Sequence, residues 1–136
     1  MRKYLIATHG TMGKGIVNTL EIILGKQDNL SYIAGYTEEC REPGEEILRF
    51  VQENQDTDVV IFTDLFGGSV NNAAMPLSQR DNVFLVTGVN LALVMEVLLA
   101  DQETETQEVI ENALVSGREA IQYFHQNLVV SEEEDF

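Results

Sequence analysis

The sequence predicts a three-layer α/β fold, doubly wound around a mainly parallel sheet in strand order 2-1-3-4. Short apolar runs of strand length alternate four times with segments whose apolar residues recur at helical spacing. The runs from Lys3 to Thr8 and from Val59 to Thr63 show no polar alternation, as expected for strands covered on both faces. The same two runs end on chemically capable side chains, His9 and Asp64, and then break into glycine. Right-handed crossovers restrict the topology. In order 2-1-3-4 the first and third strands are neighbours, and the winding reverses between them. Ligands sit at the carboxyl ends of strands at such a switch point, so His9 and Asp64 are expected to share one crevice.

Each element has its own signal. After the first strand, Gly10-Thr-Met-Gly13-Lys-Gly15 leads into a helix through about Leu24. Its apolar face is Ile16, Leu20, Ile23 and Leu24, and Gly25 is its stop. Leu30 to Tyr36 is the second strand. Pro43-Gly44 opens a helix with Ile47, Leu48 and Val51 inward. Asp56-Thr57-Asp58 turns into the third strand. Ser69 starts a third helix, with Pro76 as a kink or an early stop. Asn82 to Thr87 is the fourth strand, followed by a turn at Gly88-Val89-Asn90. Leu91 to Ala100 is apolar on most sides and reads as a buried helix. Beyond a polar connector, a long helix runs to about Gln126, with Val109, Ile110, Ala113, Leu114, Ile121 and Phe124 inward. Leu128-Val-Val130 reads as a short last strand, and Ser131 to Phe136 as an acidic tail.

At 136 residues the chain reads as one domain with a single core, residues 1–130 before the tail at 131–136. The formal net charge of -15 argues against nucleic-acid or anionic-membrane surfaces, which need Lys/Arg patches. Cys40 is the only cysteine, so no internal disulfide forms, and its acidic neighbours disfavour a thiolate. The apolar run after Arg2-Lys3 is too short for a signal segment, and no later run spans a bilayer. A cytoplasmic location is expected, with any membrane link going through a partner.

A carboxylate that accepts a hydrogen bond from one imidazole nitrogen fixes the tautomer and leaves the other nitrogen free to attack an electrophile. His9 with Asp64 behind it is therefore a nucleophile–orienter pair. Gly67-Gly68 lets backbone approach closely. Ser69 can cap the next helix, whose first amides bind phosphate oxygens. Together these read as phosphoryl transfer through phosphohistidine, on whichever nitrogen Asp64 does not hold. Each piece alone has a plainer reading: a rim histidine, a helix N-terminal acid, a turn. His125 reads as surface. Met12, Met75 and Met95 read as packing, and Tyr4, Tyr32, Phe62 and Phe84 as core. Asn71 and Asn72 either orient the crevice or fill a helical turn. One histidine and one carboxylate are too few ligands for zinc or iron, and no cofactor is expected.

Ala7-Thr8-His9-Gly10, Asp64-Leu-Phe-Gly67-Gly68-Ser69-Val-Asn-Asn72-Ala73-Ala74, Gly88-Val89-Asn90 and Ser116-Gly117-Arg118-Glu119 resemble the IIA component of the mannose-class bacterial sugar phosphotransferase system. The resemblance spans nearly the whole chain. It implies a phosphocarrier that accepts a phosphoryl group from the protein HPr on His9 and passes it to a IIB component. The membrane components IIC and IID then move the sugar. It implies that Asp64 hydrogen-bonds His9, and that Ser69 belongs to a phosphate-binding loop. It also implies a homodimer in which a last antiparallel strand, here Leu128-Val129-Val130, is exchanged between subunits. Two departures stand out. Val70 replaces a frequent proline, and Leu65-Phe66 replaces a frequent Thr-Trp, which removes a hydroxyl but keeps an aromatic able to face a partner. The chain is expected to stop after the IIA unit, with IIB a separate protein.

Other readings remain at this stage. A IIA-like subunit serving a dihydroxyacetone kinase would use the same carrier chemistry. A receiver-type signalling domain would place Asp64 correctly but needs an acidic pair where His9-Gly10 stands. A flavin-binding module would use Thr8 to Gly15 as a phosphate loop.

Overall fold

The computed structural model describes residues 1–126. Four strands, β1 (Arg2–His9), β2 (Leu30–Gly35), β3 (Asp58–Thr63) and β4 (Val83–Thr87), form one sheet in order β2-β1-β3-β4. Every pairing is parallel. The helices are α1 (Met12–Leu24), α2 (Pro43–Glu53), α3 (Ser69–Ala74), α4 (Leu91–Leu99) and α5 (Thr106–Glu119). A 3-10 turn at Met75–Gln79 follows α3 and carries Pro76 in its first turn, so the proline tightens the helix rather than ending the chain's helical path.

The apolar strands serve two cores at once. Tyr4 and Ile6 of β1 join Val60 and Phe62 of β3 against Leu20 of α1, Leu93, Val94 and Val97 of α4, and Val109 and Ala113 of α5. Their neighbours Leu5 and Ala7 join Val59 and Ile61 against Ile47 and Val51 of α2 and Val70 and Ala74 of α3. Successive side chains of a strand face opposite ways, so a strand buried on both sides has no polar position. This is why the sequence shows runs instead of alternation. It also fixes where β1 delivers its last residue: His9 shares parity with Leu5 and Ala7, and so emerges on the side that carries α3.

Register completes the placement. Ala7 lies opposite Thr63 in the β1–β3 pair, which sets Asp64 one residue past the paired end of β3 and level with the end of β1. The helix α1 leaves β1 on one face of the sheet and α2 enters β3 on the other, so the winding reverses at that seam.

Two polar ties, one buried and one part-buried, hold α5 to the sheet and to α4. Arg2 is only 3% exposed. Its Nε donates to Thr106 Oγ1 at 2.9 Å, its Nη2 meets the Thr104 carbonyl, and Thr106 Oγ1 in turn donates to Asp58 Oδ2 at 2.5 Å. Asn90 caps α4 by accepting from the Leu93 amide at 2.9 Å, and its Nδ2 donates to the Gly117 carbonyl at 2.9 Å. A Cβ at Gly117 would stand 3.0 Å from the Leu93 Cβ, so glycine there permits the close α4–α5 approach.

The structure corrects several expectations. The first helix starts at Met12 rather than after Gly15, because Thr8 Oγ1 accepts the Gly13 amide at 2.9 Å and supports an early first turn. The last helix ends at Glu119, not near Gln126, and Ile121 and Phe124 are 75% and 53% exposed. Among the described residues no surface buries Ile121 and Phe124, so tertiary packing does not extend the helix. Leu99, Met12 and Met75 are exposed rather than packed inside. His125 is exposed, as expected, but lies beyond α5 instead of in its last turn. Tyr4 and Phe62 are fully buried, whereas Tyr32 and Phe84 are half-buried. The expected strand Leu128–Val130 and the tail from Ser131 lie outside the described residues.

Ile47 is fully buried under α2. Ile47→Ala is expected to destabilise the protein by about 3 kcal/mol through lost transfer energy and the cavity left behind. Urea unfolding followed by circular dichroism measures this, and a change under about 1 kcal/mol would contradict the packing described.

Candidate functional site

His9 and Asp64 meet at the carboxyl end of the sheet. Asp64 Oδ2 accepts two hydrogen bonds from the same residue, one from the His9 amide at 2.9 Å and one at the ring Nδ1 at 2.9 Å. The first ties the carboxylate to the backbone of β1. The second orients the ring. Asp64 Oδ1 is buried and finds no hydrogen-bond partner among the described residues.

The state of Asp64 follows from opposing effects. Burial pushes its pKa up, but the hydrogen bonds from the His9 amide and ring outweigh burial and hold it below the ordinary value of 3.8. Asp64 is therefore ionised at neutral pH and can only accept. The proton of a neutral His9 ring must then sit on Nδ1, and the lone pair on Nε2 is free.

That free nitrogen faces α3. Ser69 Oγ lies 3.3 Å from Nε2. Ser69 is expected to cap the helix from outside, but the structure puts Gly68 at the N-cap and makes Ser69 the first helical residue, with no side-chain cap. Its hydroxyl serves the crevice instead. The Gly67-Gly68 turn brings it there. Gly67 has φ +81°, and a Cβ on Gly68 would stand 3.3 Å from His9 Cε1 and 3.2 Å from the Leu65 carbonyl. The Gly68 amide is engaged by the Leu65 carbonyl at 3.0 Å. The amides of Ser69, Val70 and Asn71 begin α3 and have no carbonyl one turn earlier to bond.

The two asparagines separate in function. Asn71 is buried, and its Oδ1 accepts from Thr63 Oγ1 at 2.7 Å, which ties α3 to the end of β3. Asn72 is exposed and its Nδ2 donates to the Gly67 carbonyl at 3.1 Å, which braces the glycine turn.

One site residue escapes sequence reasoning. Tyr36, one position past the end of β2, places its ring centroid 5.5 Å from that of His9 at a 33° tilt. Its hydroxyl lies 2.8 Å from Ser69 Oγ. In the sequence it looks like the last residue of an apolar strand, and nothing marks its contact with a serine 33 positions away. Its backbone has φ 62°, a left-handed conformation that strains an aromatic residue by about 1–2 kcal/mol. The turn holds it there: the Tyr36 amide donates to the Cys40 carbonyl at 2.8 Å and Thr37 Oγ1 donates to the Ala34 carbonyl at 2.7 Å. Around the crevice, Met12, Tyr36, Leu65 and Phe66 are all exposed apolar side chains. Cys40 is half-buried, and burial with the nearby Glu46 pushes its thiol pKa up, away from reactivity.

A lowered carboxylate pKa makes a stability prediction. Asp64 contributes stability that is present above its unfolded value near 3.8 and is lost as pH falls through its lower folded value. Asp64→Asn is expected to be less stable than the parent at about pH 7, with the gap narrowing as the pH falls below 3.8. Urea midpoints for both proteins across that range measure it, and a gap independent of pH would overturn the assignment.

Comparison with known proteins identifies the family. Residues 3–114 match the family model for the PTS system fructose IIA component. The PTS system mannose-specific EIIAB component of Escherichia coli strain K12 is 30% identical over 121 residues, which is 86% of this chain and 38% of that protein. This chain thus spans well under half the length of that curated relative. Among solved structures, a Klebsiella pneumoniae protein described as a phosphoenolpyruvate-dependent sugar phosphotransferase system permease superposes with a TM-score of 0.84 at 33% identity, covering 90% of each chain. The phosphotransferase system component EIIA of Streptococcus agalactiae superposes at 0.79 with 26% identity, covering 90% of this chain and 97% of that one. With the family model matched over most of its length, the chain belongs to the mannose-class EIIA family of the bacterial sugar phosphotransferase system.

Proposed function

We propose that the protein is a phosphocarrier that takes a phosphoryl group from HPr onto His9 Nε2 and delivers it to a IIB component, for sugar uptake by the IIC and IID membrane components. The observation that carries this reading is the divided imidazole: Nδ1 is held by Asp64 at 2.9 Å while Nε2 faces outward toward Ser69. His9 is 43% exposed at its side chain and Asp64 only 14%, so the nucleophile is reachable and its orienter is sheltered.

The chemistry follows from that division. The Nε2 lone pair attacks phosphorus, and the bond from phosphorus to the donor breaks with its electron pair leaving on the donor. The ring, still protonated at Nδ1, gains positive charge, and Asp64 stabilises it through the existing hydrogen bond. Ser69 and the Gly67-Gly68 turn bind the phosphoryl oxygens. Delivery to IIB reverses these steps. The exposed ring of Met12, Tyr36, Leu65 and Phe66 supplies an apolar docking rim around His9, which suits transfer between proteins rather than to a free small molecule.

The protein is further proposed to act as a homodimer, with partner location in the cytoplasm. Leu99, Ile121, Tyr123 and Phe124 are exposed together, and Met95, Leu99, Ala120 and Phe124 line an open cleft beside α4. A second copy of the chain is the occupant. No described helix is long and apolar enough to cross a membrane.

Two measurements test this. With phosphoenolpyruvate, enzyme I and HPr, the protein is expected to acquire an acid-labile, base-stable phosphate. His9→Ala abolishes it, and Asp64→Asn slows transfer by about tenfold or more with the fold intact. Labelling that survives His9→Ala overturns the site. In sedimentation, the native chain is expected at about twice 15.2 kDa, and Phe124→Asp shifts it to the monomer; a native monomer at all concentrations rejects the dimer.

A further inference from the structure

We propose that Tyr36 is a positioning residue for His9, acting through Ser69. The inference rests on the phosphocarrier reading and adds to it a residue outside the His9–Asp64 pair and the glycine turn.

The hydrogen-bond directions are forced from one end. Asp64 is an acceptor, so in the neutral ring, the form that can attack phosphorus, the proton is on Nδ1 and Nε2 receives. Ser69 Oγ, 3.3 Å away, therefore donates to Nε2. Having used its one proton, Ser69 can only accept from Tyr36, whose hydroxyl donates across 2.8 Å. The chain runs Tyr36 to Ser69 to His9 to Asp64, with every proton pointing toward the carboxylate. Its link at Nε2 is the long one, and it lies along the lone pair that must attack phosphorus. An arriving phosphorus takes that place, and the serine proton turns to a phosphoryl oxygen. Tyr36 is what holds the serine oxygen at the ring during this exchange. Its own ring packs beside the imidazole that Asp64 orients, with centroids 5.5 Å apart at a 33° tilt.

Strain supports a role beyond packing. Tyr36 is 55% exposed, so little burial explains a bulky residue there, and its φ of 62° is one that glycine or asparagine adopts far more readily. Backbone stability alone would favour glycine or asparagine at this position.

Phosphoramidate, a small phosphoryl donor, separates this inference from the choice of protein partner. In the labelling step His9 Nε2 bonds to phosphorus, the P–N bond of the donor breaks, and ammonia leaves. Three proteins are compared: the native chain, Tyr36→Phe and Tyr36→Gly. The native chain is expected to label at His9 on Nε2, read by 31P NMR and by mass spectrometry. Tyr36→Phe is expected to label about five- to tenfold more slowly and to show a shifted 15N signal at Nε2. Tyr36→Gly is expected to label more slowly still, while its Tm rises by about 3 °C as the backbone strain is relieved. If the native chain does not label at His9, the phosphocarrier reading fails. If it labels and Tyr36→Phe matches it in both rate and 15N shift, the role assigned to Tyr36 is wrong. A fall in Tm for Tyr36→Gly in step with its labelling would equally reduce Tyr36 to a structural residue.

Discussion

The site depends on one oxygen atom. Asp64 Oδ2 accepts both the amide and the ring Nδ1 of His9, each at 2.9 Å. An acceptor that held only the ring would swing with it, and one that held only the backbone would leave the ring free. By bonding both, a single carboxylate fixes the nitrogen that is occupied, the nitrogen that is free, and the direction in which the free one points. The same two bonds keep the acid ionised against its burial. Orientation and charge thus have a common cause, and neither can be altered without the other.

That oxygen is in reach only because of strand order and register. β1 and β3 are separated by two crossovers in sequence, yet Ala7 sits opposite Thr63, and the ends of the two strands finish side by side. The two cores that grip these strands, one under α1, α4 and α5 and the other under α2 and α3, hold the seam from both faces. Histidine and aspartate ride on the most deeply buried part of the molecule, while Ser69 and Tyr36 come from a helix start and a turn. In the proposed mechanism this division puts the groups that hold still at the sheet, and the groups that would exchange partners on its rim.

Much of this was legible in the residues. Alternating apolar runs and helical spacing indicate the layers, and the switch-point rule brings His9 to Asp64. What was not legible has physical causes. Helical periodicity at Ile121 and Phe124 says which face would be buried but not whether a surface waits to bury it, and α5 ends where its contact with α4 ends. Ser69 looks like a cap because serine before an apolar turn usually is one. Only the three-dimensional approach of His9 gives its hydroxyl a different partner. Nothing in the sequence marks Arg2 as buried, yet Thr106 and the carbonyl of Thr104 satisfy it in a buried site. The positive φ of the turn after β2 falls on Tyr36 and not on the adjacent Gly35, where the sequence would put it. In each case the missing information is a contact between residues far apart in the chain.

The weakest bond in the crevice has a consequence for how a carrier works. A phosphocarrier must take up a group readily and give it away readily, so neither state of its nucleophile can be strongly favoured. In the proposed mechanism the Nδ1 bond to Asp64 would serve both states, since ring nitrogen and carboxylate can stay paired whether or not Nε2 is occupied. The Nε2 bond to Ser69, at 3.3 Å, serves only the empty state and is long. A short, well-aligned bond there would stabilise the free lone pair and oppose loading. Its absence altogether would leave the serine hydroxyl unplaced when phosphorus arrives. In the proposed mechanism an intermediate length, with Tyr36 anchoring the serine from behind, would keep the donor at hand without tying down the nucleophile. On this view the strain at Tyr36 and the long contact at Nε2 are two ends of one adjustment: the first fixes the serine, and the second leaves the histidine free to react.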